Sequence, residues 1–313
     1  MAGDRLQQQR LELKYQITES VAERIRDFIS CYLEVDEFGL TRPGYAYPVH
    51  SLYLDSDTMQ TYWETINGNK NRFKLRLRYY DDRPDSPVFF EIKRRMNNCI
   101  LKQRGGVKRS AVASLLAGHL PDPSHLTSQE PKHLVAIQRF CEKMMLLRAT
   151  PKAHISYERE AWVSPHDNSI RITFDRNVRC ERDFTSLLPV ESGVTGIPSY
   201  PFKPLLVLEI KFTVRGQRRK LWDWPEDVVM DTKNQIYPPW FEDLVRTFGL
   251  TQTGAAKYVD GVTVCGEHLF SGSEDSFVAF DRQTECEIDM KERLQEEKKV
   301  EIKEVEPVQE ATC

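Results

Sequence analysis

Charged side chains recur at every second position in several short segments of this sequence. Arg10, Glu12 and Lys14 alternate with Leu11, Leu13 and Tyr15. Lys74, Arg76 and Arg78 alternate with Phe73, Leu75 and Leu77, and Glu91 and Lys93 with Phe90 and Ile92. Arg171, Thr173 and Asp175 alternate with Ile170, Ile172 and Phe174, and Glu209 and Lys211 with Leu208, Ile210 and Phe212. Successive strand residues point to opposite faces, so each segment reads as a strand with one apolar and one charged face. On one strand alone, a charged face is ordinary wetted surface. Taken together the faces lean basic, and Arg76 stands beside Arg78. Like charges on one face repel, so a basic row implies a bound anion that neutralises it. A barrel satisfies both faces: apolar sides lie outward beneath helices, and charges lie inward, where low-dielectric walls focus positive potential on a guest.

The elements that must position these charges follow from periodicity. Strands are expected at 10–17, 49–55, 73–80, 88–95, 99–104, 155–162, 169–176 and 205–212, with 165–168 turning one hairpin. A helix follows the first strand, capped by Thr18 or by the Ser20–Glu23 box, with Val21, Ile25, Phe28, Ile29 and Tyr32 as its stripe. A short helix is expected at 58–66. Another starts near Pro131, with Leu134, Ile137, Phe140, Cys141, Met144 and Leu147 facing the sheet. A last helix spans 239–248, stopped by Gly249. Gly105 and Gly106 read as a basic turn between Arg104 and Lys108. Most strands connect without intervening helices, which predicts an antiparallel α+β arrangement or a barrel. The 155–162 strand fits least well. Arg159 shares its face with Ile155, Tyr157 and Ala161, while His154, Ser156, Glu158 and Glu160 make the other face polar. That pattern predicts an edge strand.

The whole-chain charge of −3 hides an asymmetry. Residues 259–313 carry 15 acidic and 6 basic side chains, against 32 acidic and 38 basic in residues 1–258. The body is basic and the tail acidic. This predicts a binding domain over 1–258 and a solvated, acidic tail over 259–313. The seven cysteines are widely spaced with no CxxC, which predicts reduced thiols rather than a disulfide or zinc framework. No apolar run approaches the roughly 20 residues of a membrane span, and the polar start has no signal-peptide core. A cytoplasmic protein is expected. There is no GxxxxGK[ST], no GxSxG and no Cys–His pattern, and the seven histidines lack metal spacing. No groove-reading helix or base-stacking motif points to nucleic acid.

In order along the chain stand Glu12-Leu-Lys14-Tyr15, Ser51-Leu-Tyr-Leu-Asp55, Lys74-Leu-Arg76-Leu-Arg78-Tyr79, Phe90-Glu91-Ile-Lys93, Lys102-Gln-Arg104, Tyr157-Glu-Arg159, Ile170-Arg171-Ile-Thr173-Phe-Asp175, Leu208-Glu209-Ile-Lys211 and Lys257-Tyr258. This series resembles the VTC domain, the polyphosphate polymerase branch of the triphosphate tunnel metalloenzymes. The resemblance implies an α+β fold, an eight-stranded antiparallel tunnel barrel with flanking helices. It implies ATP and a polyphosphate chain as ligands and Mn²⁺ or Mg²⁺ as cofactor. By motif match, Lys14, Arg76, Arg78, Lys93, Arg159 and Arg171 would contact the reacting phosphates. Lys102, Arg104, Lys211 and Lys257 would hold the phosphate chain, and Glu209 the metal. Phosphoryl transfer asks mainly for positioning and charge neutralisation, which these residue types supply. The first strand departs from the Glu-x-Glu-x-Lys of tunnel hydrolases, because Arg10 replaces one carboxylate. Ala256 stands where the family often has Ser. A tunnel hydrolase and a phosphate-binding module are the alternatives to a polymerase.

Overall fold

We describe the protein from a computed structural model over residues 10–96, 99–165, 169–184, 195–213 and 237–271. The chain divides into two compact units, residues 1–270 and 271–313. The charged segment expected at 284–305 lies outside the described residues.

The strands are β1 (Arg10–Ile17), β2 (Glu34–Val35), β3 (Ala46–Asp55), β4 (Asn71–Tyr79), β5 (Val88–Met96), β6 (Cys99–Val107), β7 (Thr150–Val163), β8 (Ile170–Arg182), β9 (Thr195–Ser199) and β10 (Leu206–Thr213). Eight of them form one hydrogen-bonded path, β1-β10-β8-β7-β3-β4-β5-β6, antiparallel throughout. The two short strands lie off the path, β2 on β7 and β9 on β8. The path has the expected eight strands and fold class, but the barrel is not closed by backbone. Among the described residues no ladder joins β1 to β6. The sheet curls until Lys93 of β5 reaches Glu12 of β1 at 3.3 Å, so side chains bridge the seam.

Helices cover much of the outward apolar faces, and the last of them packs on the inward side. The first, α1 (Glu19–Ile29), is capped by Thr18, whose Oγ1 accepts from the Val21 amide at 3.4 Å. The next are α2 (Gln60–Ile66), α3 (Val112–Leu116) and α4 (Pro131–Leu146), followed by α5 (Pro239–Thr247) and α6 (Lys257–Cys265). Ile137, Phe140 and Met144 of α4 pack on Leu52, Leu75, Leu77, Phe90 and Ile92. Ala22, Ile25 and Ile29 of α1 and Phe241 and Leu244 of α5 pack on Tyr15, Leu208, Ile210 and Phe174. Each buried Leu, Ile or Phe contributes roughly 1.5–3 kcal/mol on removal from water. Gly105 and Gly106 do not form a turn. They continue β6, because α4 presses so close that a Cβ at Gly105 would sit 2.5 Å from Ile137 Cδ1.

The prediction of an edge position for the Arg159 strand is overturned. β7 is central, paired with β3 on one side and β8 on the other. Its mixed inward face has a cause in α6, whose Tyr258, Val259 and Val262 join inward-facing Ala153, Ile155, Cys180 and Val207 in one core. A Cβ at Gly261 would lie 2.8 Å from Cys180 Cβ and Sγ, so glycine permits this approach. Toward α6 the bore is therefore filled by apolar side chains, and Arg159 begins its charged stretch. The polar outward face of β7 is used as well: Glu160 receives Arg26 of α1 at 2.8 and 2.9 Å and Arg176 at 2.8 Å. The core also runs past Tyr258, through Val262 to the buried Phe270. Cys31, Cys141, Cys180 and Cys265 are free thiols.

Candidate functional site

Strand register decides which charges meet. Arg76 stands opposite Glu91, Lys74 opposite Lys93, and Glu91 opposite Arg104. Glu91 is fully buried and receives Arg76 through Nη2 at 2.6 Å and Nε at 2.8 Å, with Lys102 in contact and Arg104 at 4.0 Å. The remaining Arg76 nitrogen, Nη1, donates to Tyr53 Oη at 3.0 Å. Arg78 donates to Ser51 Oγ at 3.3 Å and Tyr157 Oη at 3.2 Å. These partners fix both guanidinium planes, which suits them to bidentate contact with phosphate oxygens.

A second network grows from β1, β10, β8 and α6. Glu209 accepts from Lys211 at 2.6 Å and Lys257 at 2.9 Å, with Lys14 and Arg159 each at 3.6 Å. Asp175 takes a forked pair of bonds from Arg159 at 2.7 Å and Lys257 at 2.7 Å. Glu12 faces Lys93 at 3.3 Å, Lys211 at 3.6 Å and Lys14 at 3.9 Å. Lys14 also donates to the Ala255 carbonyl at 2.5 Å, which ties β1 to the segment entering α6. Arg171 stands apart from both networks, paired with Asp36 at 2.7 Å and bonded to Tyr47 Oη at 3.2 Å.

The structure thus brings Lys14, Arg76, Arg78, Lys93, Lys102, Arg159, Lys211, Lys257 and Glu209 into the bore, with Arg104 and Arg171 toward one mouth. Cations outnumber carboxylates, and the electrostatics show it. Burial pushes Lys74 down to about 7, helped by Lys93 and Lys14. Burial also brings Lys102 to about 7, because Arg78, Arg76 and Arg104 offset the pull of Glu91. Burial opposes ionisation of Glu209 and Glu91, yet their cationic neighbours hold both carboxyls well below the usual range. Burial likewise opposes Glu12, whose carboxyl Lys93, Lys14 and Lys211 lower. Among the described residues Lys74 pairs with no carboxylate. Its ammonium lies 5.5 Å over the Tyr258 ring.

Sequence reading passed over several members of the site. Lys74, Glu12, Glu91 and Asp175 share the alternating pattern with the residues singled out, so their signal was present. Ser51, Tyr53 and Tyr157 stand in the motif series, but nothing in their types marks them as partners of the two arginines. Asp36 lies beyond the short β2, where no periodicity operates.

A hard divalent cation fits this donor set in one way. Glu12 and Glu209 lie on paired strands and share Lys211 and Lys14. Among the described residues no three His, Cys, Asp or Glu side chains form a metal cluster. Mg²⁺ needs only one or two carboxylates when phosphate oxygens and waters complete its shell. A bare cation would meet the ammonium groups around Glu209, whereas one arriving with phosphate comes already neutralised.

No helix among the described residues is long and apolar enough to cross a membrane. No match was found among curated proteins. Among solved structures, the PH1819 protein from Pyrococcus horikoshii OT3 is 11% identical, covering 82% of this chain and 98% of that one at a TM-score of 0.39. The putative adenylyl cyclase HpAC1 from Hippeastrum, described as having a dominant triphosphatase activity, is 13% identical, covering 82% of this chain and 96% of that one at a TM-score of 0.41. The family model for the VTC domain matches residues 9–265, nearly all of the curled sheet and its helices. The chain belongs to the VTC domain family, a membership that supports a function on triphosphate or polyphosphate.

Proposed function

We propose that the protein is an ATP-dependent, metal-dependent polyphosphate polymerase that works inside the basic bore. The observation that carries this reading is the surplus of buried cations over carboxylates on facing strands, with two lysines brought to about 7 by burial and cationic neighbours. Such a surplus is relieved by a guest of dense negative charge. A terminal oxygen of the polyphosphate chain forms a bond to the γ-phosphorus of ATP. The bond from that phosphorus to the β,γ-bridging oxygen breaks, and ADP departs with its electron pair. Arg76 and Arg78, held by Tyr53, Ser51 and Tyr157, orient the reacting phosphoryl oxygens. Lys14, Lys93, Arg159 and Arg171 neutralise the incoming and leaving oxygens. Lys102, Arg104, Lys211 and Lys257 hold the chain on either side. Preorganised cations in a water-poor site cost no reorganisation during transfer. Mn²⁺ or Mg²⁺ held by Glu209, with Glu12 beside it, supplies further charge neutralisation when bound. A cytoplasmic setting, where ATP is at hand, suits this chemistry.

Purified protein given ATP and Mn²⁺ is expected to yield ADP and long-chain polyphosphate. Free phosphate without chains would assign a hydrolase instead, and unchanged ATP with measurable binding a non-catalytic module. Arg10 in place of a second first-strand carboxylate favours the polymerase over the hydrolase.

A further inference from the structure

The mouth of the bore farther from α6 is lined by rings. Tyr47 on β3, Tyr80 just after β4 and Phe89 on β5 occupy the strand positions that point inward, continuing the rows of Ser51, Arg78 and Glu91. Phe38, in the turn after β2, completes an arc. Neighbouring ring centroids lie 6.2 Å apart for Phe38–Tyr47, 6.3 Å for Tyr47–Tyr80 and 6.1 Å for Tyr80–Phe89. The arc is flanked by cations. Arg104 lies 4.7 Å over the Phe89 ring, and Arg171 bonds Tyr47 Oη at 3.2 Å.

Tyr47 is buried in the core and Tyr80 packs against the same cluster, but core packing does not account for the outer rings. Phe38 is 63% exposed, and Tyr80 and Phe89 are half-buried, although the bore beside them is polar. Phe89 is two residues from Glu91, and Tyr80 two from Arg78. At about 3.3 Å per strand residue the rings stand roughly 7 Å from the phosphate-facing cations. A phosphate chain bound at Arg76 and Arg78 that carries a flat heterocycle at one end would therefore reach the rings.

We propose that this aromatic arc is a stacking subsite for the base of a nucleoside triphosphate, so that the bore discriminates nucleotide from inorganic triphosphate at this mouth. The inference rests on the phosphate-binding reading of the bore and adds the base contact. Recognition is by ring faces. Asp36, two residues before Phe38, is engaged by Arg171 at 2.7 Å. Stacking of this kind tolerates different bases and favours the larger purines.

The test compares binding of ATP, UTP and inorganic triphosphate to the wild-type chain, Phe38→Ala and Tyr80→Ala by titration calorimetry. Either variant is expected to weaken ATP roughly tenfold, the scale of one lost base–aromatic contact, while leaving inorganic triphosphate within about twofold. Wild-type protein is expected to bind ATP more tightly than UTP. Phe38 sits on an exposed turn, so Phe38→Ala reports even if Tyr80→Ala fails to fold. Unchanged ATP affinity in Phe38→Ala, or equal losses for ATP and triphosphate, would overturn the base site and leave the bore reading standing. Wild-type protein that binds no triphosphate at all would overturn the bore reading, and this inference with it.

Discussion

Binding of a phosphate chain should take up protons, and the amount follows from two lysines. In the free protein Lys74 and Lys102 each titrate near 7, against 10.5 for an ordinary lysine, chiefly because burial disfavours the ammonium. An anion beside either group favours the charged form and lifts its pKa. The complex then holds more protons than the free protein above pH 7, so affinity falls as pH rises through the window between about 7 and 10.5. With full restoration to 10.5, one lysine weakens binding roughly fiftyfold between pH 7 and pH 9, and the pair by more. Calorimetry at pH 8.5 in buffers of different protonation heat measures the uptake directly, with an expected value approaching two protons per triphosphate. The ligand's own titration is common to all variants, so Lys74→Arg and Lys102→Arg isolate the protein's share, each removing about one proton. Equal uptake by wild-type protein and the double arginine variant would refute the reasoning. Stability carries the opposite sign to binding. Because the folded pKa of each lysine lies below its unfolded value, the free protein gains stability as pH rises from about 7 toward 10.5.

Four further outcomes are expected. Glu209→Gln should abolish polyphosphate synthesis while keeping most triphosphate affinity, and persistent turnover would remove Glu209 from the proposed metal site. Asp175→Asn strips the charge that pairs Arg159 and Lys257 and should cost about 3 kcal/mol in urea unfolding; a loss under about 1 kcal/mol would show that Glu209 alone suffices for both cations. Gly261→Ala places a methyl 2.8 Å from Cys180 Sγ. It should lower stability by about 1–3 kcal/mol and, by shifting the helix that bears Lys257, weaken triphosphate, both read from ligand-dependent melting. A chain ending at Ser271 should keep triphosphate binding. One ending at Tyr258 loses Val262 and Phe270 from the core and should melt lower in the same assay.

Parity alone reveals most of the bore's lining. Lys74, Arg76, Arg78, Glu91 and Lys93 can be placed together because an alternating strand has only one way to satisfy both faces. Three features escape that logic. Tyr53 and Tyr157 serve as hydrogen-bond partners of Arg76 and Arg78 although their type reads as core. The helix α6 is hidden because Gly261 and several β-branched residues, Val259, Val262, Thr263 and Val264, are weak helix formers. It is stabilised by docking against Ile155 and Cys180, a contact far away in sequence. Without it, β7 looks like an edge strand, since the apolar partner of Ile155 and Ala153 is unaccounted for. Closure of the sheet is also illegible, because it depends on which side chains meet once the strands have curled.

Among the described residues no backbone ladder crosses the seam; there Lys93 of β5, the strand next to the last of the path, is tied to Glu12 of β1. The girth of the passage is therefore governed by charge and not locked by peptide geometry. Counter-ions that screen the stitch slacken the hoop, while a guest of high charge density inside draws on the same lysine. The hoop can thus yield to the thickness of what it encloses without unravelling a ladder. Amide exchange along β1 and β6 should quicken with ionic strength sooner than along β7, which is laced on both sides.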